Sequence, residues 1–264
     1  MTGVTALLFD DPCVIFALRR ESQPFRRKFR PQQHFPGAPC PACFCGPTWL
    51  TVLVLESGVG QERMRAGLEW LLARPVLGNV PYRPRLVLSA GFAGALREDC
   101  RVGDILLATE VSDLQGHVWP TTWPAEALSG EWRPPLRRGR LLTVPRLVAT
   151  PQEKCALGHE YGAWAVDMES GVLAEMCARQ GVPFGCVRAI SDDVGTALSP
   201  QLVSLLSGGR VSPLRALAAL TRRPMLAGEF ARLARQTRLA AAQLGKALGE
   251  LLTLTLPWSA ALEP

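Results

Sequence analysis

Acidic side chains bracket an apolar stretch near the middle of the chain. In AVDMESGVLAEMCARQGVPFGCVRAISDD, from Ala165 to Asp193, Asp167 and Glu169 stand where a helix would begin, and Asp192 and Asp193 where a strand would end. Carboxyl groups held in this way can move a proton or balance a developing positive charge. Glycosyl transfer uses both abilities, with one acid relieving the leaving group and others surrounding an oxocarbenium-like sugar. Competing devices have less support. SGVGQERM lacks the third glycine of a dinucleotide fingerprint, and no GxxxxGK[ST] occurs. The three histidines, His34, His117 and His159, come with no nucleophile elbow. HFPGAPCPACFC puts His34 near Cys40, Cys43 and Cys45, a spacing compatible with zinc, but no second CxxC pair exists. Strand packing is the expected role of these cysteines, with Cys43 and Cys45 on one face of the strand leading into Trp49. No metal and no organic cofactor is expected.

The elements that must hold the acids follow from periodicity. Met168, Val172, Leu173 and Met176 share one helical face, and Gly181 and Pro183 are placed to end that helix. PFGCVRAIS reads as a buried strand of a parallel sheet. Asp192 then lies at a strand's carboxyl end, where open α/β sheets place their ligands. Further strands are expected at Cys13–Leu18, Leu50–Leu55, Arg85–Ala90 and Arg101–Ala108. A helix is expected at Gln61–Ala73, with Met64, Leu68, Leu71 and Leu72 at helical spacing. Gly116–Arg140 holds three Trp and four Pro with little periodicity and reads as a long loop or a packed excursion. From Leu198 onward the chain reads as helical. Phe230, Leu233, Thr237, Leu244, Leu248 and Leu251 form a stripe there, for core packing or for subunit contact. The expected fold class is α/β, a three-layer αβα arrangement with a mixed, twisted central sheet. A single domain is expected over 1–264, with 196–264 as a helical C-terminal extension.

Composition limits the function classes. With 48% hydrophobic and 20% charged residues, the 264-residue chain can bury a sizeable core. No apolar run is long enough to span a membrane, and MTGVTALLFDDP lacks the basic start of a signal peptide. A soluble cytoplasmic protein with reduced cysteines is therefore expected. The net charge of +6 comes from scattered Arg, densest in RRESQPFRRKFR, Arg19 to Arg30. That run reads as a solvated segment, with an anionic ligand as the other possibility. No aromatic-interleaved basic stripe points to nucleic acid.

Four short motifs in order resemble the purine nucleoside phosphorylase/nucleosidase superfamily. They are SGVGQERM, LVLSAGFAGALREDCRVGDILLATEV, AVDMES and RAISDD. The last two resemble methylthioadenosine/S-adenosylhomocysteine nucleosidases in particular. The basic helical tail with TRRP at Thr221–Pro224 looks like the hopanoid-associated branch that cleaves adenosylhopane. The resemblance implies cleavage of a purine N-glycosidic bond, by water or phosphate, in a homo-oligomer. Asp192, after Ser191, matches the acid that serves N7 of the departing purine. Glu169 matches the carboxylate on the ribose hydroxyls, and Met168 lines the ribose pocket. Phe92, Ala93 and Gly94 match a turn whose backbone faces base and ribose, although Ser or Thr is more usual where Phe92 stands. Glu21 matches the base that activates water, while Arg19 and Arg20 beside it offer a phosphate anchor instead. The family's adenine-stacking aromatic is missing from TVPRLVATPQEK, which offers Leu147 and Val148, so a Trp of the 116–140 excursion is a candidate replacement. The residues also allow a non-catalytic nucleoside-binding protein.

Overall fold

The first strand is apolar along its whole length because it must face two cores. The computed structural model describes residues 11–46, 51–123, 127, 135–200, 203 and 226–254. In order these form β1 (Cys13–Phe16), α1 (Arg19–Lys28), β2 (Pro31–His34), β3 (Ala42–Cys45), β4 (Val52–Glu56) and α2 (Gln61–Leu72). There follow β5 (Val76–Leu77), β6 (Val80–Pro81), β7 (Val87–Ala95), β8 (Ile105–Asp113), β9 (Val118–Pro120) and β10 (Leu136–Thr143). The chain continues with α3 (Pro151–Tyr161), β11 (Ala163–Asp167), α4 (Ser170–Gln180), β12 (Phe184–Asp192) and α5 (Leu226–Leu254). Alternate residues of β1 point to opposite faces. Cys13 and Ile15 join a core with Met64, Leu68 and Leu71 of α2 and Val172 and Leu173 of α4. Val14 and Phe16 join another with Phe25 of α1 and Leu244, Leu248 and Leu251 of α5. The result is a mixed sheet between two helical layers.

β4, β1, β7 and β12 are neighbours and run parallel, so their carboxyl ends share one edge of the molecule. Part of the same sheet then closes on itself. β12 pairs with β8, β8 with β10, β10 with β11, and β11 returns to β7 through Ala165 opposite Ala95 and Val166 opposite Gly94. A closed ring leaves no unpaired edge at this point. It also brings the end of β11, and the Met168–Glu169 segment after it, to the end of β7.

Several local expectations change. The strand expected to stop at Ala90 continues to Ala95, so Phe92, Ala93 and Gly94 lie in a strand rather than a turn. Pairing with β12 and β11 supplies the hydrogen bonds that a turn would have left unmet. The strand expected to begin at Arg101 begins at Ile105, after the Arg101–Asp104 turn. RRESQPFRRKFR forms helix α1 and its following residues. Its Arg face is solvated as expected, but Glu21, Ser22 and Phe25 are buried. The 116–140 excursion contains β9 and the start of β10, neither of which alternates clearly in sequence. Helix α4 ends at Gly181 with φ 62°, as its sequence implied. Cys43 and Cys45 lie side by side in β3, their sulfurs 3.5 Å apart in the buried core. Leu244, Leu248 and Leu251 are buried, and the N-terminal part of α5 is largely exposed. Trp49, Trp132 and Thr221–Pro224 lie outside the described residues. Among the described residues, no helix is long and apolar enough to cross a membrane.

Candidate active site

Each candidate acid sits where an element begins or ends. Glu21 is in the first turn of α1. Its Oε2 accepts from the Leu18 backbone N–H at 2.7 Å, as an N-terminal Glu often does. Its Oε1 does something a capping residue does not, accepting from the Phe92 N–H of β7 at 2.9 Å. Gly91 permits this approach, since a Cβ there would stand 2.9 Å from Glu21 Oε1. Glu21 is buried, and burial pushes its carboxyl up to about 7 against the opposing pull of the two N–H donors and of Arg188.

Glu169 precedes α4 but does not cap it, for its side chain makes no cap bond. Asp167 accepts from Ser170 N–H instead, at 3.1 Å. Glu169 Oε1 accepts from the Gly60 N–H at 2.8 Å, which ties the SGVG turn before α2 to the start of α4. Burial raises its carboxyl to about 7, with the charges of Asp167 and Glu21 adding to the effect. Asp167 is paired with buried Arg188, whose Nε and Nη2 donate to its Oδ2 at 3.0 and 2.7 Å. The rest of the guanidinium is spent on Ser89, Ser170 and the Val187 carbonyl. Thus one buried cation stands among Asp167, Glu21 and Glu169.

Asp192 ends β12 opposite Gly94, after a register break that leaves Ser191 out of the ladder. A Cβ at Gly94 would lie 3.0 Å from Asp192 Oδ2. Ser191 Oγ donates to Asp192 Oδ1 at 2.7 Å and lies 3.3 Å from the Ala93 carbonyl. Lys154 of α3, fully buried, contacts Asp192 Oδ2 with its Nζ. The adjoining turn is capped by Asp193, which takes the Thr196 hydroxyl at 2.6 Å.

The predicted residues therefore converge on the last stretch of β7. Glu21 holds Phe92, Asp192 lies against Gly94, and Val166 beside Gly94 leads into Asp167, half-buried Met168 and Glu169. Arg19 and Arg20 separate. Arg19 lines a cavity of about 550 Å³ with Ser57, Gly58 and Arg63, next to Leu18. Arg20 faces a groove between α1 and α5. Of the candidate replacement aromatics in the 116–140 excursion, Trp132 lies outside the described residues and the other two are engaged elsewhere. Trp123 donates to the Ala108 carbonyl and lies against Gly185. Gly185 is seven residues up β12 from Asp192, about 23 Å at the usual strand rise. Trp119 packs into the core beside α2 and α4, and Val148 is buried with Leu96 and Leu142. Sequence inspection passed over Lys154, Arg188, Gly60 and Gly91. Two of them carried a signal: Arg188 interrupts an apolar strand, and Lys154 sits in a helix's first turn, where a cation is disfavoured.

The arrangement resembles known folds closely. A solved structure of Helicobacter pylori 5'-methylthioadenosine/S-adenosylhomocysteine nucleosidase superposes with a TM-score of 0.69 at 20% identity, covering 93% of this chain and 99% of that one. Futalosine hydrolase of the same organism gives 0.65 at 20% identity, over 92% and 98%. The Neisseria meningitidis nucleosidase in complex with methylthio-immucillin-A gives 0.66 at 16% identity, over 92% and 98%. In sequence, the Exiguobacterium 5'-methylthioadenosine/S-adenosylhomocysteine nucleosidase is 24% identical over 196 residues, 66% of this chain and 81% of the relative. The family profile described as the Phosphorylase superfamily matches residues 48–205, more than half of the chain. The protein belongs to the phosphorylase superfamily.

Proposed function

We propose that the protein cleaves the N-glycosidic bond of a purine nucleoside or adenosyl-containing compound, with water as the acceptor. The observation that carries this reading is the convergence of Glu21, Glu169 and Asp192 on one strand end, with two of the three carboxyls raised to about 7. Asp192 shares a proton with N7 of the departing base. As C1′–N9 breaks, the bonding electrons pass into the purine ring, and that proton prevents an anionic leaving group. Glu169 accepts from the ribose hydroxyls, and its charge favours the cationic sugar. Water attacks C1′ and gives its proton to Glu21, a base with a pKa near the working pH.

A carboxyl at Glu21 argues against phosphate as the nucleophile, because the two anions repel at contact distance. One observation favours phosphate as the second reading: Arg19 and Arg63 line the same cavity beside Ser57 and Gly58. Nucleoside relatives with different 5′ groups decide both questions. Base release is measured from adenosine, methylthioadenosine, S-adenosylhomocysteine and adenosylhopane, each with and without phosphate. Release without phosphate is expected, and strict phosphate dependence refutes water as the acceptor. Purine binding with no release from any substrate favours a non-catalytic nucleoside-binding protein. The resemblance that names adenosylhopane rests on the basic helical tail, of which α5 is described and Thr221–Pro224 lies outside the described residues. We expect a homo-oligomer, to be measured by light scattering.

A further inference from the structure

Lys154 is difficult to explain as a helix residue. It stands in the first turn of α3, where the amide dipoles disfavour a cation. Thr150, whose side chain accepts from the Glu153 N–H, and Pro151 already give that helix its start. Lys154 is also the one buried residue of α3, its side chain wholly out of solvent. Burying an ammonium is costly in lost hydration unless partners replace it. Three do. Nζ contacts Asp192 Oδ2 and donates to the carbonyls of Asp193 at 2.8 Å and Thr196 at 3.3 Å. A fourth tie, Leu198 N–H to the Ala149 carbonyl at 2.9 Å, fastens the segment after β12 to the residues before α3.

We infer that Lys154 is a positioning residue for the leaving-group carboxyl, fixing Asp192 Oδ2 from behind so that its remaining lone pairs face the purine. The inference rests on the role proposed for Asp192. A carboxyl group presents two oxygens with about four acceptor sites. Ser191 occupies one on Oδ1 and Lys154 one on Oδ2, which leaves the carboxyl plane a single orientation. Gly94 bounds the same oxygen on the β7 side. Without the ammonium, Oδ2 is left beside the carbonyl oxygens of Asp193 and Thr196, which repel it, and Ser191 alone holds the carboxyl plane.

The test compares Lys154→Met, Lys154→Arg, Asp192→Asn and the Lys154→Met/Asp192→Asn double variant, with kcat and KM measured separately on a purine nucleoside. The Lys154→Met variant is expected to lose roughly 100-fold in kcat with KM within about threefold of wild type, the size of effect that misaligned proton transfer gives. Lys154→Arg, which keeps the cation, should recover part of that loss and covers the case in which Lys154→Met does not fold. The double variant should be no slower than Asp192→Asn alone, since a positioning residue has nothing left to position. On p-nitrophenyl riboside, whose leaving group departs without protonation, Lys154→Met should keep a near-normal rate. Equal losses on both substrates, or multiplying losses in the double variant, indicate a structural staple and overturn the inference. Wild-type activity in Lys154→Met overturns it alone, whereas a wild-type protein that releases no base overturns the functional reading and this inference with it.

Discussion

Replacing Glu21 by Gln should change how stability depends on pH, and the size of the change follows from where the carboxyl sits. Glu21 is buried, and its carboxyl moves from an ordinary 4.5 to about 7, chiefly through loss of hydration. The folded state therefore holds this proton more tightly than the unfolded chain. A raised carboxyl contributes stability that is fully present below about 4.5 and is lost as pH climbs through about 7. At about 1.36 kcal/mol per pH unit, the gap amounts to about 3 kcal/mol. Gln has no charge to bury, so this loss disappears. It does sacrifice a bond, because the carboxamide nitrogen cannot accept from Leu18 N–H, at a cost of about 1 kcal/mol. Glu21→Gln should thus be less stable than wild type by about 1 kcal/mol near pH 4, about level with it near pH 5 and more stable by about 2 kcal/mol at pH 8. Urea unfolding followed by tryptophan fluorescence, repeated every half pH unit from 4 to 8, reads the difference. Parallel stability curves for the two proteins would refute the reasoning, since they would mean that Glu21 titrates alike folded and unfolded. The same variant should lose about 10²- to 10⁴-fold in base release if its carboxyl accepts the proton of water.

Other perturbations separate the parts of the site. Gly94→Ala puts a methyl 3.0 Å from Asp192 Oδ2. Asp192 must then give by a few tenths of an ångström, which should lower kcat by about tenfold, with secondary structure by circular dichroism unchanged. Arg188→Met strands buried Asp167 without its cation, and urea midpoints should report a loss of about 3–5 kcal/mol. Leu248→Ala empties part of the core beneath α5, and the same assay should give about 2–5 kcal/mol with KM unaltered. A pyrrolidine sugar mimic that carries a positive charge should bind more tightly as Glu21 and Glu169 ionise. Calorimetry across pH 6 to 8 should therefore show rising affinity, with a flat profile for its uncharged counterpart.

How legible the molecule was depends on the range of the interactions involved. Helix α4 and strand β12 could be read from AVDMES to RAISDD because their signals are local: helical spacing from Met168 to Met176, a stop at Gly181 and an apolar run after Pro183. β10 and β11 escaped because LRRGRLLT and AWAVD take their strand character from neighbours far away in the chain, β8, β7 and each other. α1 escaped for a related reason. Five basic residues and Pro24 hide an apolar face that consists of little more than Phe25 and the buried end of Glu21. The acids were found through motif order, but their partners were not. Nothing adjacent to Lys154 in sequence points to Asp192, and nothing near Gly60 points to Glu169. Those contacts exist only because the ring β7–β12–β8–β10–β11 closes.

The same closure explains why so many carboxyls sit around a single guanidinium. Arg188 spends its donors on Asp167, Ser89, Ser170 and Val187, so it influences Glu21 and Glu169 through space without bonding either. Among the described residues, these two acids accept from backbone N–H groups, one from Gly60 and two from Leu18 and Phe92. Each also raises the cost of ionising the other. A core built for stability alone would neutralise such groups with a second cation or replace them with apolar side chains. The function proposed above calls instead for a positive charge that is present only part of the time. In the proposed reaction an oxocarbenium-like sugar would supply it as C1′–N9 breaks, whereas the neutral nucleoside would not. On that proposal, the hydration that Glu21 and Glu169 lose on folding would be offset in the transition state rather than in the ground state, which is the condition under which burying charge accelerates a reaction.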